Sequence, residues 1–257
     1  MKETQDFLEL AKKASLSAGD LIMRKFGKRE GIRSKSERDL VTDADTQAEK
    51  LIISMIKKEH PDHSILAEES GESFGESGFT WVIDPLDGTN NFAYGIPLFG
   101  VAISLLKGKE PVLGVINIPV FGQLFHAQKG RGAFLNGKPA RVSGRKELRE
   151  MLLLYDSDFL RKKDEVMSKL DRLVCLVFKV RMLGAATIHY SQILQGNADF
   201  WLEHTTKPWD ITGGSLMVEE AGGRVTDFDG NPWTPWSRNL LISNGKAHEE
   251  ILEIING

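Results

Sequence analysis

The segment Trp81-Val82-Ile83-Asp84-Pro85-Leu86-Asp87-Gly88-Thr89-Asn90 constrains this chain most. Its apolar start reads as a buried strand that delivers Asp84 at its C-terminal end. Pro85 has no N–H for a central ladder, so the chain is expected to turn there. Asp87 follows on the turn. Gly88-Thr89 can then open a short helix whose first N–H groups lack intrahelical partners. Carboxylates this close repel unless something positive lies between them. A hard divalent cation suits such oxygen ligands, and the Leu86 carbonyl is a further oxygen within reach. The same aspartates also suit a structural reading, as turn and cap residues in Asx-type hydrogen bonds.

Periodicity places the neighbouring elements. Residues 3–26 have helical spacing that Gly27 stops, and 28–40 read as a loop or hairpin. Thr42-x-x-Asp45 resembles a capping box and predicts a second helix ending near His60-Pro61. Short strands are expected at 64–67 and 80–83, then at 99–106, 112–118 and 123–127 as an antiparallel meander. Beyond it, strands at 151–155 and 175–180 flank a charged helix over 158–173. Helices at 187–195, 209–221 and 247–255 alternate with strands at 199–203, 225–226 and 240–243. There is no internal repeat and no long linker. Residues 1–257 therefore read as one domain, with a helix pair and meander in 1–145 and an α/β part in 146–257.

Composition excludes several classes. Thirty-three basic against 36 acidic side chains leave a formal charge of −3, no footprint for nucleic acid. One cysteine, Cys175, excludes an intramolecular disulfide and a Cys-rich zinc site. Its apolar surroundings predict a buried packing residue. His60-Pro-Asp-His63 has suggestive spacing, but the proline makes it a turn rather than a helical zinc pair. Trp233 and Trp236 are expected to form a packed loop. The N-terminus lacks the apolar core of a signal peptide, and no run approaches the ~18–20 apolar residues of a membrane span. A soluble, cytoplasmic protein is the expectation.

Two further acidic features have ordinary explanations. Asp210, in Pro208-Trp209-Asp210, falls in a first helical turn, where a carboxylate complements the helix dipole. Asp39 through Asp45 suits a helix N-terminus. The combination is more specific. Leu40-Val41-Thr42-Asp43-Ala44-Asp45, Ala67-Glu68-Glu69-Ser70, Trp81 to Phe92, Lys129 to Pro139, Pro208-Trp209-Asp210 and Glu219-Glu220-Ala221-Gly222-Gly223 occur in one order. Together they resemble the inositol monophosphatase family of metal-dependent, lithium-sensitive phosphatases, from the first helix to the last.

The resemblance implies a layered αβαβα sandwich, usually dimeric, and hydrolysis of a phosphate monoester by metal-activated water. It implies one Mg²⁺ on Glu68, Asp84 and the Leu86 carbonyl, and a second on Asp84, Asp87 and Asp210. Glu68 would help hold a third ion through water, and Glu69 resembles a family position close to the metals. Thr89 and Asp45 resemble the pair that orients the attacking water. Gly88 and Thr89 would bind phosphate oxygens through backbone N–H groups.

Substrate residues are implied more coarsely. Glu203 resembles the residue that hydrogen-bonds a polyol hydroxyl, although an exposed strand-end Glu reads equally well. Gly184-Ala185-Ala186 resembles the segment flanking the substrate ring, or alternatively close packing at a helix start. Arg181 could meet a second phosphate or be an ordinary surface residue. Asn90-Asn91-Phe92 fits the branch acting on myo-inositol 1-phosphate. Lys207, often His in animal enzymes, and Asn90, often Thr, point to bacterial or archaeal branches, some of which also act on fructose 1,6-bisphosphate. Histidinol phosphate and 3′-phosphoadenosine 5′-phosphate are less favoured substrates. A non-enzymatic alternative is a regulatory binding protein, since some bacterial relatives act with RNA polymerase or in ribosome synthesis.

Overall fold

The computed structural model describes residues 2–28, 31–36, 39–156 and 159–257. The first helix, α1 (Lys2–Lys25), leads into a hairpin of β1 (Arg33–Ser36) and β2 (Asp39–Val41). Helix α2 (Asp43–Glu59) follows, then β3 (Ser64–Ala67), β4 (Gly71–Ser73), β5 (Phe79–Asp87) and the short α3 (Thr89–Tyr94). The meander is β6 (Gly100–Lys107), β7 (Glu110–Ile118), β8 (Gln123–Gln128), β9 (Ala133–Leu135) and β10 (Lys138–Pro139). The second half holds β11 (Leu152–Asp156), α4 (Phe159–Val174), β12 (Lys179–Arg181), α5 (Ala186–Leu194) and β13 (Phe200–Glu203). It ends with α6 (Pro208–Glu220), β14 (Arg224–Thr226), β15 (Leu240–Ser243) and α7 (His248–Asn256).

These elements stack in the five expected layers. One sheet has the order β10-β9-β8-β7-β6-β5-β3-β4, the other β12-β11-β13-β15-β14. Helices α1 and α2 cover the outer face of the large sheet, α5 and α6 lie between the sheets, and α4 and α7 close the far side. The cores follow the strand alternation. Val101, Ile103 and Leu105 of β6 pack under α1 and α2, while Ala102 faces the central helices. A third core, with Tyr155, Phe200 and Leu241, lies under α4 and α7. Among the described residues, no helix is long and apolar enough to cross a membrane.

The central layer is drawn tight by glycines. A Cβ at Gly114 of β7 would lie 2.6 Å from the Gly213 Cα of α6, and one at Gly214 would lie 2.2 Å from the Tyr190 ring. Helix α6 can therefore seat against both the sheet and α5.

Three expectations need correction. Pro85 does not end its strand: β5 runs to Asp87, with its register against β6 broken between Asp84 and Asp87. The break absorbs the missing N–H and re-aims the side chains. Cys175 is exposed, not buried, because α4 ends at Val174 and the next strand starts only at Lys179. In the tryptophan loop, Trp233 packs against the central core, but Trp236 is half exposed.

Candidate active site

The carboxylates converge where the large sheet meets the central helices. Strand β5 ends in Asp84 and Asp87, the turn after β3 carries Glu68 and Glu69, and the first turn of α6 carries Asp210. Glu68, Asp84, Asp87 and Asp210 line one cleft with Leu86, Gly88, Thr89, Asn90 and Gly184. Its volume is about 150 Å³, against roughly 300–1,000 Å³ for pockets that enclose a whole small ligand. It is too small to enclose a whole small ligand and is open at its mouth.

Each acid is anchored locally. Helix α2 begins with the expected capping box: Thr42 caps Ala44 N–H, and Asp45 Oδ2 accepts from Thr42 N (2.8 Å) and Oγ1 (2.5 Å). The other Asp45 oxygen, Oδ1, lies 2.8 Å from Thr89 Oγ1, which is also 2.8 Å from the Leu86 carbonyl. One hydroxyl proton serves one of these acceptors at a time. Gly88 is the N-cap of α3 with φ 85°, a left-handed conformation suited to glycine. Asp84 Oδ1 accepts from Leu86 N at 3.0 Å.

Asp87 has a second task that its sequence context does not reveal. It accepts from Ala186 N (3.2 Å), Thr187 N (2.5 Å) and the Thr187 hydroxyl, and so caps α5 from a strand 100 residues away. Ala185 and Ala186 serve this junction, and of the Gly184-Ala185-Ala186 segment only Gly184 lines the cleft. Glu203 lies at the end of β13, outside the cleft lining, and accepts from Thr205 N at 2.9 Å. Arg181 is exposed on β12 and donates to the Val180 carbonyl. Lys207 is the exposed N-cap residue of α6. His60 and His63 stack with ring centroids 4.5 Å apart, and His63 Nδ1 accepts from Trp81, so they form an aromatic turn.

Residues not anticipated from the sequence complete the site. Lys35, on β1, donates to Glu68 Oε1 (3.2 Å) and Glu69 Oε1 (2.8 Å). Buried Glu49, one turn beyond Asp45 on α2, accepts from the Glu69 N–H at 2.9 Å and fixes the glutamate turn. The helical spacing of Asp45 and Glu49 is the one signal that could have paired them.

The electrostatics are those of a site short of positive charge. Burial raises the Asp84 pKa well above the ordinary carboxylate value, and Glu68, Asp87 and Asp210 push it further. Burial, then Asp87 and Glu68, does the same to Asp210. Burial raises Glu68 to about 7, with Lys35 pulling down and Glu69 pushing up. Burial also raises Asp87 and Asp45, partly offset by the hydrogen bonds from Thr187 and Thr42.

This donor set fits a hard divalent cation. The cleft supplies carboxylates and a peptide carbonyl, the oxygen donors that Mg²⁺ selects. The Asp87 carboxylate accepts from three donors on α5 and from the Gly88 N–H, so an ion there would share its oxygens with these bonds. Among the described residues, no three acidic, imidazole or thiol groups enclose an ion by themselves. The Leu86 carbonyl would be a needed further oxygen donor, and the carboxylates would have to draw closer to hold a cation.

Comparison with known proteins agrees with this geometry. The family model described as "Inositol monophosphatase family" matches residues 3–257. A Thermotoga maritima protein named fructose-1,6-bisphosphatase/inositol-1-monophosphatase is 35% identical over 98% of this chain and 96% of its own. The Nus factor SuhB of Pseudomonas aeruginosa is 36% identical, over 98% and 96%. A solved Thermotoga maritima IMPase superposes with a TM-score of 0.90 at 33% identity, covering 98% of this chain and 97% of that one.

Proposed function

We infer the function from one premise: the chain belongs to the inositol monophosphatase family, whose enzymes are Mg²⁺-dependent phosphomonoesterases. The reading is hydrolysis of a polyol or sugar phosphate, foremost myo-inositol 1-phosphate, to the alcohol and inorganic phosphate. The observation that carries it is the convergence of Glu68, Asp84, Asp87 and Asp210 on the cleft that Gly88 and Thr89 also line.

Glu68, Asp84 and the Leu86 carbonyl would hold one Mg²⁺, Asp84, Asp87 and Asp210 a second, with a third held more weakly near Glu68. Bound there, the ions neutralise the phosphate dianion, lower the pKa of water and stabilise the leaving alkoxide. The protein's own groups do the positioning. Thr89 gives its hydroxyl proton to Asp45 and so turns a lone pair toward the attacking water, orienting it. Thr42 donates to Asp45 twice, which favours its anionic form against the burial that raises its pKa. Backbone N–H groups at the start of α3 receive phosphate oxygens, and Gly88 lets them approach. Gly184 borders the organic part at the mouth, and by family likeness Glu203, outside the cleft lining, would accept from a hydroxyl of a substrate that reaches beyond it.

The test is phosphate release with and without Mg²⁺, on inositol 1-phosphate, fructose 1,6-bisphosphate, histidinol phosphate and 3′-phosphoadenosine 5′-phosphate. Mg²⁺-dependent turnover supports the reaction class, and the ranking of kcat/KM assigns the substrate. Absence of turnover on every member, from protein that binds Mg²⁺, would reject it. The likeness to a protein named Nus factor SuhB supports a second reading, regulatory binding to transcription machinery. Capture of RNA polymerase subunits by folded Asp84→Asn would favour it. Family likeness also supports a homodimer, lithium inhibition and a cytoplasmic location. Sedimentation showing only monomer at micromolar concentration would reject the dimer.

A further inference from the structure

We propose that Asn91 is a positioning residue that sets the gap between the turn at Gly88-Thr89 and the Leu183–Gly184 wall of the cleft. The inference rests on the phosphomonoesterase reading above. Asn91 lies on α3, and its side chain reaches across to a segment more than 90 residues away in sequence. Its Nδ2 donates to the Leu98 and Leu183 carbonyls, each at 2.8 Å, with the Gly184 carbonyl at 3.3 Å. The two short bonds use both amide hydrogens.

The wall is held from its other side as well. The Leu183 N–H points to Nε2 of His189, on α5, at 3.3 Å. Both backbone polar groups of Leu183 are thus tied to side chains of two different helices. Gly184 then approaches Asn91 closely: its φ is +73°, and a Cβ there would lie 3.1 Å from Asn91 Nδ2. Gly88 packs on the same assembly, since a Cβ there would lie 2.8 Å from the Leu98 carbonyl and 2.9 Å from Ala185 Cβ. Turn, wall and the Leu98 segment meet around one amide.

This arrangement separates two properties of the reaction. Asn91 is not among the residues lining the cleft, so it acts through the wall. Removing its donors leaves two carbonyls without their partners and frees a segment that contains a glycine. Substrates that touch the wall lose affinity, and shorter esters are affected less.

The experiment compares wild type, Asn91→Ala and Asn91→Asp on inositol 1-phosphate and on the shorter ester glycerol 2-phosphate. Mg²⁺ binding is followed by calorimetry. Asn91→Ala is expected to raise KM for inositol 1-phosphate about tenfold, as two unmet carbonyls imply. For the same ester kcat falls less, and KM for glycerol 2-phosphate moves less than about threefold by the same reasoning. Asn91→Asp conserves volume but removes both donors, so it should be at least as damaging. Mg²⁺ binding should stay as in wild type. Wild-type KM in Asn91→Asp, equal losses on both esters, or loss of Mg²⁺ binding would each overturn the inference. Gly184→Ala presses on the amide from the wall side and should raise the same KM. If the Asn91 variants do not fold, an unchanged KM in Gly184→Ala overturns the inference, and a raised one supports it. Wild-type protein without turnover overturns the phosphatase reading and this inference together. An active wild type with unaffected variants overturns this inference alone.

Discussion

Gly114→Ala tests the contact that seats Asp210. The added Cβ would lie 2.6 Å from the Gly213 Cα and 2.8 Å from the Gly213 carbonyl oxygen. Carbon atoms in ordinary contact sit about 3.5–4.0 Å apart, so α6 must retreat by roughly 1 Å. Both obstructing atoms are backbone, and no rotamer change relieves them. Overpacking of this kind costs about 1–3 kcal/mol, and a rigid obstacle belongs at the upper end. In a chain of this size 2–3 kcal/mol lowers Tm by about 4–12 °C. Asp210 stands one turn before Gly213 on the same helix, so the retreat carries it away from Asp84 and Asp87. A displacement of about 1 Å in a catalytic constellation costs on the order of 10²-fold in rate. Thermal melting and phosphate release at saturating Mg²⁺ read the two effects separately. The control is Gly213→Ala, whose Cβ would meet Gly114 Cα and Ser104 Cβ at 3.4 Å, an ordinary contact. That variant gains helix propensity of up to about 1 kcal/mol and should melt near wild type. Wild-type melting and turnover in Gly114→Ala, or a worse result in Gly213→Ala, would refute the seating argument.

Three further outcomes are expected. Asp84→Asn should lower turnover by at least about 10³-fold, as loss of a central electrostatic group does. It should also melt higher than wild type in a chelator, because it removes a buried like charge yet keeps the oxygen that accepts from Leu86; a lower melting point there would contradict the charge argument. Thr89→Ala should cut kcat about 10²-fold with KM nearly unchanged, as loss of water orientation implies, and steady-state kinetics showing raised KM at full turnover would reject that role. Burial lowers His189 to about 3, His204 to about 3 and His248 to about 4. Their folded pKa values lie below the unfolded value of about 6.5, so the unfolded state takes up protons first. Stability is therefore full above about pH 6.5 and falls as pH drops toward the folded values, by roughly 2 kcal/mol per imidazole at pH 5. Urea midpoints that stay flat between pH 7 and 5 would contradict this.

The fold was legible wherever local chemistry decides. The capping box at Thr42 and Asp45 starts α2, and helical spacing placed α1, α5, α6 and α7 within a residue or two of their observed bounds. The five-layer stacking came from family resemblance, because layer order depends on long-range packing that periodicity does not encode. Pro85 misled for a physical reason: proline forbids a ladder bond, but a register break accommodates it without ending the strand. Cys175 misled because its apolar neighbours Val174, Leu176 and Phe178 are themselves partly exposed at the end of α4. At the site, spacing on one strand picked out Asp84 and Asp87 as candidates, and helical spacing from Asp45 is the one hint of Glu49, but nothing local marks Lys35 or the bond from Asp87 to Thr187. Each is a contact between distant segments, visible only once the chain is folded.

Those distant contacts explain why a cluster of mutually repelling carboxylates can survive in a folded protein. Asp87 caps α5, Asp45 holds the start of α2 to Thr89, and Glu49 anchors the glutamate turn. The acids are therefore joints between elements as well as ligand candidates, and the hydrogen bonds they accept offset part of their burial. Lys35 offsets another part through Glu68 and Glu69, on the hairpin side of the cleft. Among the described residues, the charged groups that act most strongly on Asp84 are all acidic. The residual repulsion is greatest at Asp84, the acid that both proposed ion sites share, and at Asp210, which only the second would use. A cation bound there gains most where the protein alone compensates least. At a free concentration 100 times its dissociation constant it would stabilise the fold by about 2.7 kcal/mol. On the proposed reading, the instability of the empty cluster and its affinity for Mg²⁺ would have one electrostatic cause, and a sequence that repaired the first by pairing Asp84 would abolish the second.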